Sequence, residues 1–355
     1  MNDNLASLIR PEIVSLTPYK FQNKPSGAIN LDLNENPYPP SPIVIKSLSE
    51  EIFHVNRYPN PQMEHELRKE LSEYTNLDPE NIFISNGSDS IIYALMDVFI
   101  SKGDKVVTLK PSFKVYEIAT MKNGGKMEHY LLREPDFRVN KDELVELAKG
   151  SKLLILVNPN NPTGNLVIKK DDIESLLSEY EGLVVVDEAY YEFCNVTFAN
   201  LINEYHNLVI IRTFSKAFSL AGLRIGYALA HKNIVNLLLK VRQPIPFDKL
   251  ALKAALMALK DIEYMKKIVK LIINERARLF SHLKSIANIT PFPSQTNFIL
   301  FKSSIADLSK KLAEHKIFIK DFSEALGNYY YRVSIGLPSE NKLFIDKLKE
   351  IIKEH

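Results

Sequence analysis

The chain has 355 residues, of which 45% are hydrophobic and 25% are charged, with 12 glycines and 19 prolines. This composition is ordinary for a globular protein and excludes collagen-like, disordered and low-complexity chains. The 45 Lys and Arg residues nearly balance the 43 Asp and Glu residues, so no global field would draw the chain to nucleic acid or to an anionic membrane. The length allows about two domains or one large domain.

Three further features predict where the protein works. The single cysteine, Cys194, cannot form an internal disulfide, which fits a reducing compartment. The N-terminus lacks the basic and apolar segments of a signal peptide. The longest apolar runs have about half a dozen residues, whereas a membrane span needs ~18. We therefore expect a cytoplasmic protein that binds neither membrane nor nucleic acid.

The first part of the chain predicts an extended arm followed by a sheet. Residues 1–45 are rich in proline and irregular, which is typical of a segment ordered by packing on something else. From about residue 80, apolar runs alternate with stretches long enough for helices, and Asp171–Tyr180 has a helical pattern. Such short runs of Val, Ile and Leu are typical of strands buried on both faces. The runs are Ile82–Ser85, Lys105–Leu109, Leu153–Val157, Leu183–Val186, Leu208–Ile211 and Ile225–Leu229.

The pattern changes near Gln243–Phe247. Beyond it we predict helices at Leu250–Leu259, Tyr264–Ile286 and about Glu340–Lys353, and strands at Asn297–Phe301, Ile317–Lys320 and Tyr330–Ile335. Strands that alternate with helices favour an α/β fold with a mostly parallel sheet. We therefore predict a large α/β domain at 46–243 and a smaller α+β domain at 244–355, with the arm at 1–45 as part of the smaller domain.

Several common chemical signatures are absent from the sequence. No G-x-G-x-x-G follows a strand, and there is no phosphate loop, no G-x-S-x-G elbow and no H-E-x-x-H. The eight histidines are scattered and do not have the spacing of metal ligands, so we predict no metal site.

Polar segments follow four of the predicted strands. In doubly wound sheets, ligands bind beyond the carboxyl ends of the strands. We therefore expect a Gly-Ser turn, an amide-rich turn, a carboxylate, and a lysine with hydroxyls to meet at one edge of the sheet. The four segments are Asn86–Asp89, Asn158–Gly164, Asp187–Tyr190 and Arg212–Lys216, the last followed closely by Arg224.

This set of groups suits pyridoxal phosphate. A lysine can form a Schiff base with the cofactor, and a carboxylate can keep the pyridine nitrogen protonated so that the ring accepts electrons. Hydroxyls, an arginine and the amides at a helix start can hold the dianionic phosphate. Because these pieces appear in order after consecutive strands, the sequence predicts a pyridoxal-phosphate site.

At these residues the sequence resembles the fold-type I pyridoxal-phosphate aminotransferases and, within them, the histidinol-phosphate aminotransferase group. The resemblance covers nearly the whole chain. Two segments mark the superfamily, namely the lysine segment Thr213–Phe218 and the Asn-Pro-Thr-Gly segment within Asn158–Gly164. Two others point to the group, namely Leu16–Tyr19 and the Asn-Glu-Asn-Pro segment within Leu33–Tyr38. The other matching segments are Arg57–Gln62, Asn86–Asp89, Asp187–Tyr190, Ala221–Tyr227 and Arg332–Gly336.

The resemblance implies a role for each matching residue. Lys216 would form the Schiff base and move the proton between the substrate Cα and C4′ of the cofactor, while Asp187 would pair with the pyridinium nitrogen. Tyr190 and Asn161 would hydrogen-bond the ring oxygen O3′, and Phe113 would stack on the ring. The residues that would bind the cofactor phosphate are Ser88, Asp89, Thr213, Ser215 and Arg224.

The resemblance also implies partners and substrates. Tyr58 would reach the phosphate of the neighbouring subunit's cofactor, so the protein would be a homodimer with shared active sites. Arg332 would grip a carboxylate or phosphate of the substrate, since an arginine fork binds either anion. Tyr19 would contact a substrate phosphate, and Asn36 of the Asn-Glu-Asn-Pro segment would also bind substrate. Glutamate would donate its amine and become 2-oxoglutarate. A small phosphorylated ketone, imidazole acetol phosphate, would receive the amine and become histidinol phosphate.

Several departures from the group's pattern leave other functions open. Phe113 stands where the group usually has Tyr, and Ser90 stands where Glu is common. Tyr329–Val333 and Gln243–Phe247 are more similar to the threonine-phosphate decarboxylases, which use the same cofactor. The alternatives are therefore a decarboxylase of threonine or serine phosphate, or a transaminase for another phosphorylated carbonyl compound. A third, an aminotransferase-like transcription regulator, is disfavoured because no basic recognition helix precedes the fold.

Overall fold

The computed structural model of the protein describes residues 8–14, 16, 23–327 and 329–354. The chain forms two sheets with helices packed on both. The strands are β1 (Ile29–Leu31), β2 (Ile82–Ser85), β3 (Lys105–Lys110), β4 (Lys126–Leu131), β5 (Leu153–Val157), β6 (Leu183–Asp187), β7 (Leu208–Thr213), β8 (Gly226–Ala230), β9 (Ile289–Pro291), β10 (Phe298–Ser303), β11 (Ile317–Asp321) and β12 (Tyr330–Ser334).

The helices differ widely in length. Three have only four residues, namely Pro11–Val14, Tyr191–Cys194 and Ser323–Leu326. The longer ones are Pro42–Glu51, Pro61–Thr75, Gly87–Phe99, Val115–Lys122, Lys141–Ala148, Lys170–Glu179, Lys232–Val241, Lys249–Lys260, Ile262–Lys284, Leu308–Glu314 and Pro338–Lys353. No helix in the described ranges is both long and apolar enough to cross a membrane.

The large sheet has seven strands in the order β2-β8-β7-β6-β5-β3-β4. Its neighbours from β4 to β7 are parallel, whereas β8 is antiparallel to both β7 and β2. The predicted α/β fold with a mostly parallel sheet is therefore confirmed. The apolar run at 225–229 is a strand as expected, but it runs against its neighbours.

Burial on both faces explains why the central strands are apolar without alternation. All five residues of β5 and all five of β6 are buried. Successive residues point to opposite faces, so Leu154 and Val184 belong to one hydrophobic cluster, while Ile155 and Val185 belong to the other. Each such side chain stabilises the fold by roughly 1.5–3 kcal/mol. This rigid centre fixes the ends of the strands, where the polar segments begin.

The small sheet has the order β1-β11-β12-β10-β9. Its strand β1 comes from the proline-rich first part of the chain and pairs parallel to β11, while the other neighbours are antiparallel. β12 is thus an interior strand, with β11 on one side and β10 on the other. The domain boundaries at 45 and 243 remain a prediction.

Candidate active site

The polar segments predicted at one edge of the large sheet come together there. In the register of the central strands, Asp187 at the end of β6 lies between Val157 of β5 and Ile211 of β7. Lys216 lies three residues beyond the end of β7. The carboxyl ends of parallel strands meet at one edge, which is why segments far apart in sequence converge.

Asp187 is a buried carboxylate held by two hydrogen-bond donors. It is 3% exposed. The backbone N–H of Ala189 donates to Oδ1 at 3.0 Å, and the hydroxyl of Tyr116 donates to Oδ2 at 3.0 Å. Burial raises the pKa of Asp187 to about 6, although both hydrogen bonds oppose the rise. A cationic N–H placed beside this carboxylate would be strongly stabilised because little water screens the charges.

Lys216 is an amine with an unusually low proton affinity. Its Nζ donates a 3.0 Å hydrogen bond to the carbonyl oxygen of Leu33. Burial lowers the pKa of Lys216 to about 8, and the positive charges of Arg332 and Arg224 contribute to the decrease. A neutral amine is therefore available near physiological pH, and a neutral amine is the form that attacks a carbonyl carbon.

A cradle for an anion lies beside this lysine. The helix Gly87–Phe99 begins one residue after β2 ends, so the backbone N–H groups of Ser88 and Asp89 lie in its first turn, at the positive end of the helix dipole. The guanidinium of Arg224 lies over the same turn, where it donates to Asp89 Oδ2 at 3.2 Å and to Ser215 Oγ at 3.3 Å. The Thr213 hydroxyl accepts the backbone N–H of Ser215 at 3.0 Å.

Two glycines allow this close approach. A Cβ on Gly226 would lie 2.8 Å from the backbone N of Ser88, and a Cβ on Gly87 would lie 2.8 Å from Nη2 of Arg224. Gly87 also has a φ of +74°, which side chains with a Cβ disfavour. Without side chains at Gly87 and Gly226, there is room for one small anion to contact the helix start, the hydroxyls and the guanidinium together.

The three residues predicted to contact the cofactor ring, Tyr190, Asn161 and Phe113, each have a partner within the protein. Tyr190 is buried, and its hydroxyl accepts a 2.9 Å hydrogen bond from Nδ2 of Asn34. Oδ1 of Asn161 accepts a 2.5 Å hydrogen bond from Nη1 of Arg332, which leaves the Asn161 amide N–H groups for another partner. The ring of Phe113 packs edge-to-face on Tyr116, with 6.3 Å between the centroids.

Arg332 lies inside the small sheet and reaches the large one. It is 5% exposed, and its Nη2 donates to the carbonyl oxygen of Asp32. The rings of Phe298 and Phe322 each lie 5.3 Å from its guanidinium carbon. Packing between aromatic faces fixes a guanidinium without cancelling its charge. Arg332 is therefore a buried cation at the boundary between the two sheets.

Two predicted residues, Asn36 and Tyr58, are placed differently from the rest. Asn36 donates through Nδ2 to the carbonyl oxygens of Lys216 and Ala217, and its Oδ1 accepts the N–H of Tyr38, so its amide braces the lysine loop. Tyr58 is 79% exposed and lies on the surface of the subunit. Tyr19 lies outside the described residues.

The sequence predictions missed two residues that hold the site together. Tyr116 supports Asp187, and Asn34 supports Tyr190. Asn34 is almost fully buried and has a φ of +54°, and its amide and backbone are also bonded to Ser334 and Asn297. Asn34 belongs to the Asn-Glu-Asn-Pro segment that carries part of the resemblance, and Tyr116 follows Phe113 by three residues. Those positions were the available signal.

The geometry defines the class of protein. An amine of low pKa stands beyond a strand of a doubly wound sheet, with a buried carboxylate on one side and an anion cradle on the other. An arginine of the second sheet closes the site. This combination is that of an enzyme whose lysine forms a Schiff base with a carbonyl group.

A known protein family matches most of the chain. The family "Aminotransferase class I and II" matches residues 26–348, and the chain belongs to this family. The chain is thus an enzyme that transfers an amino group, as the sequence predicted.

Individual relatives are similar over their whole length. The histidinol-phosphate aminotransferase of Thermoanaerobacter pseudethanolicus is 39% identical, over 98% of this chain and 99% of the relative. The solved structure of histidinol-phosphate aminotransferase from Sinorhizobium meliloti, in complex with pyridoxal-5′-phosphate, has a TM-score of 0.89 and 25% identity, and the match covers 98% of each chain. L-threonine-O-3-phosphate decarboxylase from Porphyromonas gingivalis has a TM-score of 0.81 and 25% identity, covering 92% of this chain and 99% of that one.

Proposed function

We propose that the chain is a pyridoxal-phosphate-dependent transaminase that exchanges the amine of L-glutamate with a small phosphorylated ketone, imidazole acetol phosphate, to give histidinol phosphate. The observation that carries the proposal is the joint presence of Lys216, Asp187 and the anion cradle at one sheet edge. The relatives named histidinol-phosphate aminotransferase support the choice of substrates.

The donor set supports pyridoxal phosphate as the cofactor. The cradle of helix amides, hydroxyls and Arg224 fits a phosphate, and the two glycines leave room for it. The carboxylate of Asp187 fits a protonated pyridine nitrogen, and Lys216 fits an aldehyde. When bound, pyridoxal phosphate supplies an electron sink for the substrate Cα.

The residues of the chain would divide the work around this group. Asp187 would hold a proton on the ring nitrogen, while Tyr190 and Asn161 would donate hydrogen bonds to the ring oxygen. Phe113 would lie against the ring face, where it provides contact area without a hydroxyl. Lys216 would carry the proton from the substrate Cα to C4′, a task for which a pKa of about 8 is suitable.

Arg332 would bind the substrate anion. Because the guanidinium is buried between aromatic rings and points to Asn161, a carboxylate or phosphate that meets it would be fixed beside the ring. Tyr19 is proposed as a second contact to a substrate phosphate on the basis of its sequence segment alone.

A homodimer with shared sites is also part of the proposal. Large apolar side chains are concentrated on the surface of residues 43–58, where exposed side chains of this kind include Ile43, Ile45, Ile52, Phe53, Val55 and Tyr58. Contiguous apolar patches of this kind mark interaction surfaces. Since Tyr58 belongs to this patch, a second copy of the chain that covers it could receive Tyr58 into its own site. A cytoplasmic location stays a prediction.

The decarboxylase alternative receives no specific support from the tyrosines that suggested it. Tyr331 is completely buried, and its hydroxyl bonds to Ile305 and Leu308 away from the site. Tyr330 stacks on Phe292 with 6.1 Å between the ring centroids. These residues belong to the core of the small sheet, so they do not distinguish decarboxylation from transamination.

The proposal is tested with purified protein loaded with pyridoxal phosphate. L-glutamate alone should bleach the visible band of the bound cofactor, and imidazole acetol phosphate should restore it while histidinol phosphate forms. The Lys216→Ala variant should retain some cofactor through the phosphate contacts but lose nearly all turnover. A band that glutamate leaves unchanged, with release of carbon dioxide from threonine phosphate, would replace the proposal with decarboxylation.

A further inference from the structure

Tyr116 supports the candidate active site through a hydrogen bond to Asp187. It lies in the helix Val115–Lys122 and is completely buried. Its hydroxyl donates to Oδ2 of Asp187 at 3.0 Å, while Oδ1 accepts the backbone N–H of Ala189 at the same distance. Both carboxylate oxygens are therefore oriented by donors that belong to the protein itself.

The ring of Tyr116 also contacts Phe113, the residue proposed to stack on the cofactor. Phe113 packs edge-to-face on Tyr116 at an angle of 81° between the ring planes. One side chain thus fixes both the residue expected against the ring face and the carboxylate expected at the ring nitrogen. Because Tyr116 is fully enclosed, its hydroxyl has no access to bulk solvent, and water could not easily take its place.

The surroundings of Asp187 otherwise disfavour its negative charge. Burial is the largest cause of its raised pKa, and the nearby carboxylates Asp89 and Glu188 act in the same direction. The hydrogen bonds from Tyr116 and Ala189 are the opposing contributions. A charged carboxylate with two donors is a weaker base than one with a single donor, because the donors stabilise its ionised form.

We propose that Tyr116 is a positioning residue that keeps Asp187 ionised and aimed at the pyridine nitrogen, so that the proton between them stays on the nitrogen. This inference rests on the proposed pyridoxal-phosphate function. It concerns only the protonation of the bound ring, and it is independent of which ketone accepts the amine.

The consequence of removing the hydroxyl follows from proton affinity. In Tyr116→Phe the carboxylate of Asp187 loses one donor and becomes more basic. The shared proton then moves from the ring nitrogen toward Asp187, and the ring becomes a poorer electron acceptor. We expect kcat to fall about tenfold, because a hydrogen bond to a charged group changes an equilibrium between protonation states by that factor or more.

The experiment uses the full-length protein loaded with pyridoxal phosphate that carries ¹⁵N in its ring. The ¹⁵N chemical shift separates protonated from unprotonated pyridine without any turnover. We expect the protonated position in the unaltered protein and a displacement toward the unprotonated position in Tyr116→Phe. The matched control is Tyr180→Phe, which removes a buried hydroxyl that donates to the Ser151 carbonyl at 2.9 Å, before the start of β6. The control should leave the shift unchanged.

A second variant covers the case in which Tyr116→Phe does not fold. Introducing 4-aminophenylalanine at position 116 keeps the ring and replaces the hydroxyl with a weaker N–H donor, so the ¹⁵N resonance should move toward the unprotonated position, by less than in Tyr116→Phe. An unchanged ¹⁵N shift in either folded, loaded variant would overturn the inference and leave the proposed transamination intact. A chain that binds no pyridoxal phosphate would overturn both.

Discussion

Lys216 is surrounded by groups that disfavour its positive charge. Burial is the first cause of its low pKa, and the guanidinium groups of Arg332 and Arg224 add to it, while Glu35 and Asp89 act in the opposite direction. The hydrogen bond to the Leu33 carbonyl does not restore the ordinary pKa of the amine. The side chain is thereby prepared to react as a neutral amine.

The low pKa of Lys216 predicts how fast the cofactor-free protein binds pyridoxal phosphate covalently at each pH. Only the neutral amine attacks the aldehyde, so the rate of covalent attachment should rise about tenfold per pH unit below pH 8 and level off above it. Stopped-flow absorbance after mixing at each pH measures the rate.

A charge variant tests the cause of the low pKa. Removal of the Arg332 charge in Arg332→Gln should move the inflection to higher pH, because a neighbouring positive charge favours the neutral amine. Arg278→Gln is the matched control, since Arg278 pairs with Glu275 outside the site. An inflection near the ordinary lysine value in the unaltered protein would show that the amine is not desolvated.

At the residue scale, the sequence could predict the groups that directly follow a strand. Lys216 and Asp187 occupy such positions, so strand order alone brought them to one edge. Their supports could not be predicted in the same way. Tyr116 is 71 residues from Asp187, and Asn34 is 156 residues from Tyr190, so these contacts depend on how separate elements pack.

At the scale of elements, a buried ion pair joins the ends of β6 and β7. Arg212 donates through Nε and Nη2 to Oε2 of Glu188 at 3.0 and 2.8 Å, and their side chains are 3% and 1% exposed. The ring of Tyr191 lies 3.8 Å from the guanidinium carbon. Glu188 follows Asp187, and Arg212 precedes Thr213, so the pair fixes the two residues proposed to contact the cofactor.

Breaking this pair should destabilise the protein strongly. Glu188→Leu leaves the Arg212 charge buried without its carboxylate, which should lower the free energy of unfolding by about 3–5 kcal/mol. Cofactor binding should weaken as well, because the ends of β6 and β7 lose their connection. Chemical denaturation and titration with pyridoxal phosphate measure the two effects.

The double variant separates the charge from the packing. Glu188→Leu with Arg212→Leu removes both charges, so it should cost less than the sum of the two single changes. Disruption of the exposed pair Lys266–Glu263 is the control and should have little effect. Additive costs at Glu188 and Arg212 would contradict the role assigned to the pair.

Elements with buried, uniform composition were predictable, whereas short or edge strands were not. The helix predicted at 171–180 is observed at Lys170–Glu179, and β5 agrees with the predicted run. β4 was missed because none of its residues is fully buried and they include Lys, Glu and His. β1 has three residues, and it becomes a strand through pairing with β11 rather than through its own composition.

At the scale of the whole molecule, the site lies where the two sheets meet. Asn34 bonds to Tyr190 on the large-sheet side and to Ser334 of the small sheet, and Arg332 crosses in the opposite direction to Asn161. A shift between the sheets would therefore disturb both Tyr190 and Asn161, which are proposed to contact the cofactor, and Arg332, which is proposed to bind the substrate. The exposed apolar patch at 43–58 connects the site to a second copy of the chain, because the proposed homodimer would bring Tyr58 of one copy to the site of the other.

Shared sites predict that two inactive variants restore each other. Lys216→Ala lacks the amine, and Tyr58→Ala lacks the residue that would serve the partner. In a mixed dimer, the intact Lys216 of one copy would face the intact Tyr58 of the other, so one site in each mixed dimer would be complete. If the copies re-associate at random, equal amounts should recover about a quarter of the unaltered activity. The transamination rate after mixing, unfolding and refolding measures the recovery.

The control for this experiment places both changes in one chain. A double variant with Lys216→Ala and Tyr58→Ala forms mixed dimers with the unaltered protein in which neither site is complete. Refolding equal amounts together should therefore leave about a quarter of the activity of the same total amount of unaltered protein, whereas simple dilution would leave about half. A charged residue in the patch, as in Phe53→Asp, should lower the sedimentation coefficient to that of a single chain and abolish the recovery, since Phe53 is 81% exposed in the isolated subunit. A dimer without recovery would show that Tyr58 acts within its own chain, and recovery that survives Phe53→Asp would show that the patch is not the interface.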